Sequence, residues 1–510
     1  MYRSKGPRDR PPIDRVQVEK PRSPKRGFSR FPPLAAAAPY GLGLPSPSVT
    51  GAAFFDLDRT LLAGASGKSF SAALRASGAI SRTIPGEGLL YGLFNRIGET
   101  LPSMALARQA ASLAKGTARS IMQAAGEAAA DELAASVQPF AGPVLAQHRA
   151  AGRPVVLATT TPYDLVKPLA DRLGFDDVVA TRYGVNADGT YDGTIAGPFV
   201  WAVGKLDAVR AWAEERGIEL ADSFAYSDSF YDAPLLGAVG SPVVVNPDPR
   251  MVVMAAARRW PVLHLDVSPG VFKIPVLGVE LQRILMQFSR PALMPYASFD
   301  IDGVAHIPAE GPAILVGNHR SYFDPQAMSV AIARSGRTVR FLGKKEVFDV
   351  PVIGALAKAM GGIRVDRGTG SHEPLQAAAD ALAGGEVVAL MPQGTIPRGP
   401  AFFEPELTGR WGAARLAAMS RAPVVPIGLW GTEKVWPRSS RLPNLLNVAD
   451  PPQVRIRVGP PVELKYRSEA ADTKRIMAAI VQLLPSEARR RHTPTADELA
   501  ATYPPGYKAD

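Results

Sequence analysis

Two α/β units in tandem, each built on a parallel sheet, are what this sequence predicts. Three observations predict them. Short, continuously apolar runs such as AAFFDLDRTLL (Ala52–Leu62) and AILVGNHRSYFD (Ala313–Asp324) each open into a polar loop, as strands buried on both faces do. These runs alternate with stretches of helical spacing, the pattern of a parallel sheet with crossover helices. A Pro-, Val- and Leu-rich stretch over 260–300 divides them into two series.

Length and composition agree. A chain of 510 residues with 46% hydrophobic and 21% charged residues has apolar material for more than one core. Its 47 Gly and 48 Pro imply many turns. It has no cysteine, which excludes disulfides, thiolate metal sites and cysteine nucleophiles and makes the cytoplasm the expected compartment.

The formal charge of +11 is uneven: residues 1–30 hold ten Lys/Arg against three acids. Residues 1–48 are therefore expected to form a disordered, basic, Pro-rich tail. A solvated arm and an attraction to anionic lipid headgroups both fit it; no nucleic-acid partner is expected. The apolar stretch Leu34–Ala38 is too short for a signal peptide, and no run of 18 apolar residues suggests a spanning helix.

In the first unit, 49–250, a strand at Ala52–Leu62 is followed by an Ala-rich helical region over 66–150. RPVVLATTTP (Arg153–Pro162) is a second buried strand, followed by a helix over 163–174 and a short strand at Asp177–Ala180. GVNADGTYDGTI (Gly184–Ile195) predicts a hairpin turning at Asp188-Gly189. A helix over 203–217, the strand of SFAYSDSFYD (Ser223–Asp232) and a strand at Pro242–Pro247 complete the unit. Residues 251–300 read as a linker, 301–470 as the second unit and 471–510 as a C-terminal helix and tail. The second unit opens on the buried strand and polar loop of Ala313–Asp324, and further strands are expected at Thr338–Leu342, Gly362–Val365, Val387–Met391, Val424–Leu429 and Val454–Val458.

Three polar loops follow strands of the first unit and carry Asp56 and Asp58, Thr159, and Asp228 and Asp232. Loops at the carboxyl ends of strands converge on the ligand site of an open α/β sheet. Four carboxylates gathered there repel one another unless a cation sits among them, and oxygen ligands alone point to Mg²⁺. Lys205 adds a positive charge that can contact a phosphate.

The set DLDRT (Asp56–Thr60), Thr159, Lys205 and SDSFYD (Ser227–Asp232) resembles the haloacid dehalogenase (HAD) superfamily of phosphohydrolases in order and spacing. The resemblance covers roughly 50–250, and the gap of about 100 residues between Asp58 and Thr159 is similar to the helical-cap insertion of the phosphoserine-phosphatase-like branch, subfamily IB. It implies that Asp56 is the nucleophile that forms an aspartyl-phosphate, and that Asp58 is the acid and then the base. It implies that Asp56, the Asp58 carbonyl and Asp228 hold Mg²⁺, with Asp232 supporting the loop. Thr159 and Lys205 would bind phosphoryl oxygens. The second motif, Thr159-Thr160-Thr161-Pro162, departs from the Ser-Gly-Gly of phosphoserine phosphatases, so a lipid or other phosphomonoester stands beside phosphoserine as substrate.

In the second unit GNHRSYFDP (Gly317–Pro325) places His319 five residues before Asp324, a spacing at which a carboxylate can orient an imidazole base. This block resembles the glycerolipid acyltransferases, the lysophosphatidic acid (1-acylglycerol-3-phosphate) acyltransferase group in particular. GGIRVDR (Gly361–Arg367), MPQGTIPRG (Met391–Gly399) and VVPIGL (Val424–Leu429) resemble its later blocks, in order, over roughly 270–465. The resemblance implies a glycerolipid-acyltransferase α/β fold, with His319 as base on the acceptor hydroxyl and Asp324 as its partner. It implies Arg367 on the acceptor phosphate, and a third block (Gln393, Gly394, Thr395) lining the substrate. In that block Gln393 stands where Glu is usual and Ile396 where Arg is usual, with Arg398 two residues on as a further phosphate contact.

Together these readings predict a bifunctional enzyme of phospholipid synthesis. The expected cofactor is Mg²⁺, and the expected partners are acyl-CoA or acyl carrier protein, lysophosphatidic acid and a membrane surface. A degenerate unit serving as a membrane-docking scaffold is the alternative. The stretch Val276–Arg290 aligns Leu277, Leu281, Ile284, Leu285 and Phe288 on one helical face; core packing and a membrane-interfacial helix both fit it, and the latter implies peripheral association with the cytoplasmic membrane.

Overall fold

The computed structural model describes residues 50–79, 99–274, 277–366 and 373–507. The basic tail, Arg367 and Val276 lie outside the described residues.

The first sheet has six strands in the order β3-β2-β1-β6-β7-β8, all parallel. They are β1 (Ala53–Phe55), β2 (Val155–Pro162), β3 (Asp177–Thr181), β6 (Phe224–Ser227), β7 (Ser241–Val245) and β8 (Val262–Leu263). β1 is central and wholly buried, because helices cover both faces of the sheet. Its side chains alternate between two cores. Phe54 meets Trp212 edge-on at 5.5 Å on one face, and Phe55 stacks on Tyr226 at 4.3 Å on the other. The predicted hairpin is present as β4 (Tyr183–Val185) and β5 (Tyr191–Ile195), with Gly189 left-handed at φ 82°.

The expected helical insertion between β1 and β2 is present. Its described helices are Gly67–Ala76, Leu101–Leu113, Arg119–Ala135 and Ala141–Ala150. Arg119–Ala135 packs closely on the helix Tyr163–Leu173. A Cβ on Gly126 would fall 2.5 Å from the Leu165 carbonyl oxygen, so only glycine fits. Buried Asp164 locks the contact, accepting from Arg119 at 2.9 Å, Gln123 at 3.1 Å and Tyr191 at 2.8 Å.

Residues just after 250, expected to be linker, instead complete the first unit. The helix Pro249–Arg258 starts on an Asp248 cap, β8 pairs with β7, and Leu265 is buried in the first core. The remainder of the linker is bound to the second unit. β9 (Lys273–Ile274) and β10 (Val279–Glu280) form a two-stranded ribbon. Buried Arg340 then pairs with Glu280 at 2.9 Å and Glu386 at 2.8 Å, and Ser268 donates to Glu386. The helix expected over 276–290 is only Leu281–Met286. Gln282 is 1% exposed, because both ends of its amide bond the main chain of Val339 at 2.7 and 3.0 Å. That clamp turns one face inward and leaves Leu277 and Phe288 65% and 62% exposed.

The second sheet has seven strands, in the order β11-β17-β16-β12-β15-β13-β14. They are β11 (Ser298–Asp302), β12 (Ala313–Gly317), β13 (Arg340–Lys344), β14 (Ile363–Val365), β15 (Val387–Leu390), β16 (Val424–Trp430) and β17 (Gln453–Val458). Only β16 and β17 pair antiparallel. β11 was not anticipated; its sequence SFDID carries two acids and lies half-exposed at the sheet edge.

The C-terminal residues do not run on as a tail. Thr495 and Glu498 form a capping box for the helix Ala496–Ala501, and the following residues pack on the third block. Gly399 donates its N–H to Thr502 Oγ1 at 2.8 Å, and Tyr507 lies beneath the Arg398 guanidinium at 5.5 Å. Among the described residues, no helix is long and apolar enough to cross a membrane.

Candidate active sites

At the carboxyl end of β1 the chain makes a tight turn, in which Asp58 is extended and Arg59 left-handed at φ 59°. The Asp56 N–H is tied to the Tyr226 carbonyl at 2.9 Å, so the strand register sets the height of the carboxyl group. Lys205, 1% exposed, reaches from the helix Val203–Arg216. It donates to Asp56 Oδ1 at 2.8 Å and to Asp232 Oδ2 at 2.6 Å. Ser227 Oγ shares that Asp232 oxygen at 2.7 Å, while Asp232 Oδ1 is buried with no partner among the described residues. Asp228 accepts from Thr60 Oγ1 at 3.3 Å and lies 3.3 Å from Arg59 Nε. Asp58 accepts from the Ser66 N–H at 2.6 Å, and Thr159 Oγ1 accepts from the Thr161 N–H at 3.2 Å.

Glu99 also belongs to the cluster, which sequence reasoning missed. It precedes the cap helix Leu101–Leu113 and accepts from Trp201 Nε1 at 2.9 Å and Ser229 Oγ at 2.8 Å. Nothing near it in the sequence marks it, since its partners lie 102 and 130 residues away.

The electrostatics follow from five buried or half-buried acids beside two cations. Burial, partly offset by Lys205 and reinforced by Asp232, pushes the Asp56 carboxyl up to about 6. Burial also raises Asp58, against the opposing hydrogen bond from Ser66. Burial, offset in part by Arg59 and reinforced by Asp56, Glu99 and Asp232, holds Asp228 well above the usual carboxylate range. Burial and repulsion from Asp232 push Glu99 up to about 7. For Lys205 burial works against the charge, but Asp232, Asp56 and Glu99 overcome it and hold the ammonium protonated.

Among the described residues, no three His, Cys, Asp or Glu side chains are grouped to hold a metal by themselves. The donor set that the haloacid dehalogenase resemblance implies asks for less: two carboxylates, Asp56 and Asp228, and the main-chain carbonyl of Asp58. Burial, reinforced by acidic neighbours, raises both carboxyls, and a divalent cation relieves that condition, so the residues present fit Mg²⁺.

The second site lies at the carboxyl ends of β12, β15 and β16. Asn318 clips β12 to β16 by donating to the Leu429 carbonyl at 2.8 Å and accepting from its N–H at 2.7 Å. His319 Nδ1 lies 2.7 Å from Asp324 Oδ2. That oxygen also accepts from the Arg320 and Ser321 N–H groups at 2.6 and 2.8 Å. Asp324 is 0% exposed, and its other oxygen accepts from Thr432 Oγ1 at 2.6 Å. With Nδ1 turned to Asp324, Nε2 is the ring nitrogen of His319 that this contact leaves over.

Gln393 Oε1 accepts from the His319 N–H at 2.6 Å, a bond that the side-chain oxygen of either Gln or Glu can make. The replacement therefore preserves this contact. Gly394 is left-handed at φ 72°, Thr395 is half-buried, Ile396 is buried and Arg398 is exposed. Arg320 lies between Phe402 and Trp430, 4.2 Å from each ring centre, and is paired with Glu433 at 3.1 Å.

Two α/β sheets, one ending in an Asp–Lys–Asp chain and the other in a His–Asp pair, define a fused hydrolase and acyltransferase. Residues 53–237 match the model of the haloacid dehalogenase-like hydrolases and 298–430 that of the acyltransferases; the chain belongs to the first family and carries an acyltransferase domain behind it. It is 31% identical to a phosphoserine phosphatase of Mycobacterium tuberculosis over 271 residues, which are 52% of this chain and 88% of that protein. It is 34% identical to the inhibition of morphological differentiation protein of Streptomyces azureus over 254 residues, 48% of this chain and 87% of that one. Among solved structures, the 1-acyl-sn-glycerophosphate acyltransferase of Thermotoga maritima aligns with 40% of this chain and 77% of its own, at 20% identity and a TM-score of 0.31.

Proposed function

We propose that the chain is a bifunctional enzyme of phospholipid metabolism. Its first domain hydrolyses a phosphomonoester in a Mg²⁺-dependent reaction. Its second transfers an acyl chain from acyl-CoA or acyl carrier protein to 1-acylglycerol 3-phosphate, giving phosphatidic acid.

The pairing of Asp56 with protonated Lys205 supports the first half. Asp56 attacks phosphorus, the P–O bond to the leaving group breaks, and Asp58 gives its proton to the departing alkoxide. Asp58 then takes a proton from water, which attacks the aspartyl-phosphate and releases phosphate. Asp58 suits the first step because burial favours its protonated form. Lys205 and Thr159 would hold phosphoryl oxygens. Mg²⁺, held by Asp56, Asp228 and the Asp58 carbonyl with Asp232 behind them, would neutralise charge between carboxylate and phosphate.

The 2.7 Å contact between His319 and Asp324 carries the second half. His319 Nε2 takes the acceptor hydroxyl proton, the oxygen attacks the thioester carbonyl, the C–S bond breaks and the thiolate recovers the proton. Asp324 stabilises the imidazolium between these steps. Arg367 and the third block would hold the acceptor. Exposed Leu277 and Phe288 suit peripheral attachment to the cytoplasmic membrane, where the acceptor resides.

The test is an assay of the purified full chain against a panel of phosphomonoesters with Mg²⁺ and a panel of lysophospholipids with acyl-CoA, with products identified by mass spectrometry. Release of phosphate that depends on Asp56 and formation of phosphatidic acid that depends on His319 are expected. Absence of either product from its panel refutes that half.

A further inference from the structure

The third block raises a question of charge. Position 396, where the acyltransferase resemblance places a phosphate-binding Arg, holds Ile396, which is 3% exposed. A different cation stands against the same stretch of main chain. Arg438 donates through Nη1 to the Ile396 carbonyl and, at 3.4 Å, to the Pro397 carbonyl. It is 7% exposed, and its Nε is buried without a hydrogen-bond partner among the described residues. Such a group is costly to bury unless something completes it.

Its surroundings are those of an anion site. Burial lowers the Arg438 guanidinium; contact with the Tyr322 hydroxyl opposes this and nearby Arg398 adds to it. Among the described residues no Asp or Glu pairs with Arg438 or Arg398, so two neighbouring cations lack a counter-ion. Arg320, by contrast, is neutralised by Glu433 at 3.1 Å. Tyr322 lies inside the loop between His319 and Asp324, so the contact ties Arg438 to the catalytic loop. Arg438 also follows by six residues Thr432, which holds Asp324. The same short segment thus positions the base and brings in the cation.

We propose that Arg438, together with Arg398, binds the phosphate monoester of the acyl acceptor and replaces the charge missing at position 396. The proposal rests on the acyl-transfer reading above. A guanidinium suits the task because it stays charged and presents a planar fork of donors to phosphate oxygens. The buried Nε is a donor available to one of them. Arg398, exposed and resting on Tyr507, would close the site from the solvent side. On this view the C-terminal segment belongs to the acceptor site, through the Tyr507 contact and the Thr502 bond to Gly399.

The experiment measures steady-state acyl transfer by the full chain with lysophosphatidic acid and, separately, monoacylglycerol as acceptor. The wild type is compared with Arg438→Gln, Arg438→Lys and Arg398→Gln. Arg438→Gln should lower kcat/KM for lysophosphatidic acid more than tenfold, leave the KM for acyl-CoA within twofold, and lower kcat/KM for monoacylglycerol far less than that for lysophosphatidic acid. Arg438→Lys should recover part of the loss. Arg398→Gln, at an exposed position that tolerates substitution, should cost several-fold in the same direction. Inhibition by glycerol 3-phosphate should weaken in parallel.

Equal losses with both acceptors would mark Arg438 as structural only and overturn the proposal, as would unchanged kinetics in both Gln variants. A rise confined to the acyl-CoA KM would move the site to the carrier's phosphates and also overturn it. In these cases the wild type still acylates lysophosphatidic acid, so the acyl-transfer reading survives. A wild type that acylates neither acceptor refutes that reading, and this proposal with it.

Discussion

Thr432 donates its hydroxyl proton to Asp324 across 2.6 Å, although the two residues are 108 positions apart. Both are 0% exposed, so no water can take over the bond. The contact completes the hydrogen bonding of a carboxylate whose other oxygen faces His319. Thr432 follows left-handed Gly431 at the carboxyl end of β16, and Asp324 opens the helix after β12. Pairing of β16 with β12 brings the two together.

Thr432→Val should therefore slow acyl transfer. Leaving a buried acceptor unsatisfied costs about 1–3 kcal/mol. If that falls on the orientation of His319, kcat drops roughly 5- to 150-fold. The acceptor KM should change little, and Thr432→Ser should retain most of the activity. A lower melting temperature with unchanged kcat would assign Thr432 to stability alone.

The two activities should separate by mutation. The residues proposed for each lie on different sheets and share no side chain. Asp56→Asn should abolish phosphate release, because a neutral amide cannot form the acyl phosphate, and leave acyl transfer nearly intact. Loss of both activities from a folded Asp56→Asn protein would refute independent sites.

Metal dependence should follow the same division. Chelation should stop phosphate release and spare acyl transfer. Mg²⁺ should raise the melting temperature of the wild type, since a ligand that binds only the folded state stabilises it. Asp228→Asn should lose most of that rise. A rise of equal size in the variant would remove Asp228 from the donor set.

Acid should destabilise the first domain through His148. Burial, with Arg153 beside it, lowers this imidazole from 6.5 to about 3. Its Nδ1 accepts from Arg153 Nε at 3.0 Å, and its Nε2 meets the Tyr226 hydroxyl at 2.7 Å. A group depressed on folding binds fewer protons in the native state than in the unfolded one between the two values. Stability is therefore fully present above about 6.5 and falls as pH drops toward about 3. Urea unfolding of wild type and His148→Gln at pH 7.5 and pH 5 (roughly one unit above and 1.5 below the ordinary imidazole value) checks this. The variant should lose clearly less stability between the two conditions. An equal loss would place the acid sensitivity elsewhere.

Membrane attachment should depend on the exposed side chains flanking the short helix Leu281–Met286. Replacing Leu277 and Phe288 with Ser should weaken sedimentation with anionic vesicles. Each such side chain contributes roughly 1.5–3 kcal/mol when fully buried. The melting temperature should hold, because both residues are largely exposed. Unchanged vesicle binding would remove this segment from the membrane contact.

The two α/β domains, the helical cap and most residues of both candidate sites could be read from the chain alone. Asp56, Thr159, Asp228, His319 and Asp324 were legible because each follows a continuous apolar run, and a strand buried on both faces delivers its loop residues to one edge of the sheet. What depends on pairing between distant segments emerged only in the folded chain. β8 joins the first sheet, Gln282 and Arg340 dock the linker, and residues 496–507 fold back onto the third block. Glu99, Thr432 and Arg438 enter the sites by the same route. Such contacts are set by strand register and by burial of polar groups that must find partners, and neither leaves a local period in the chain.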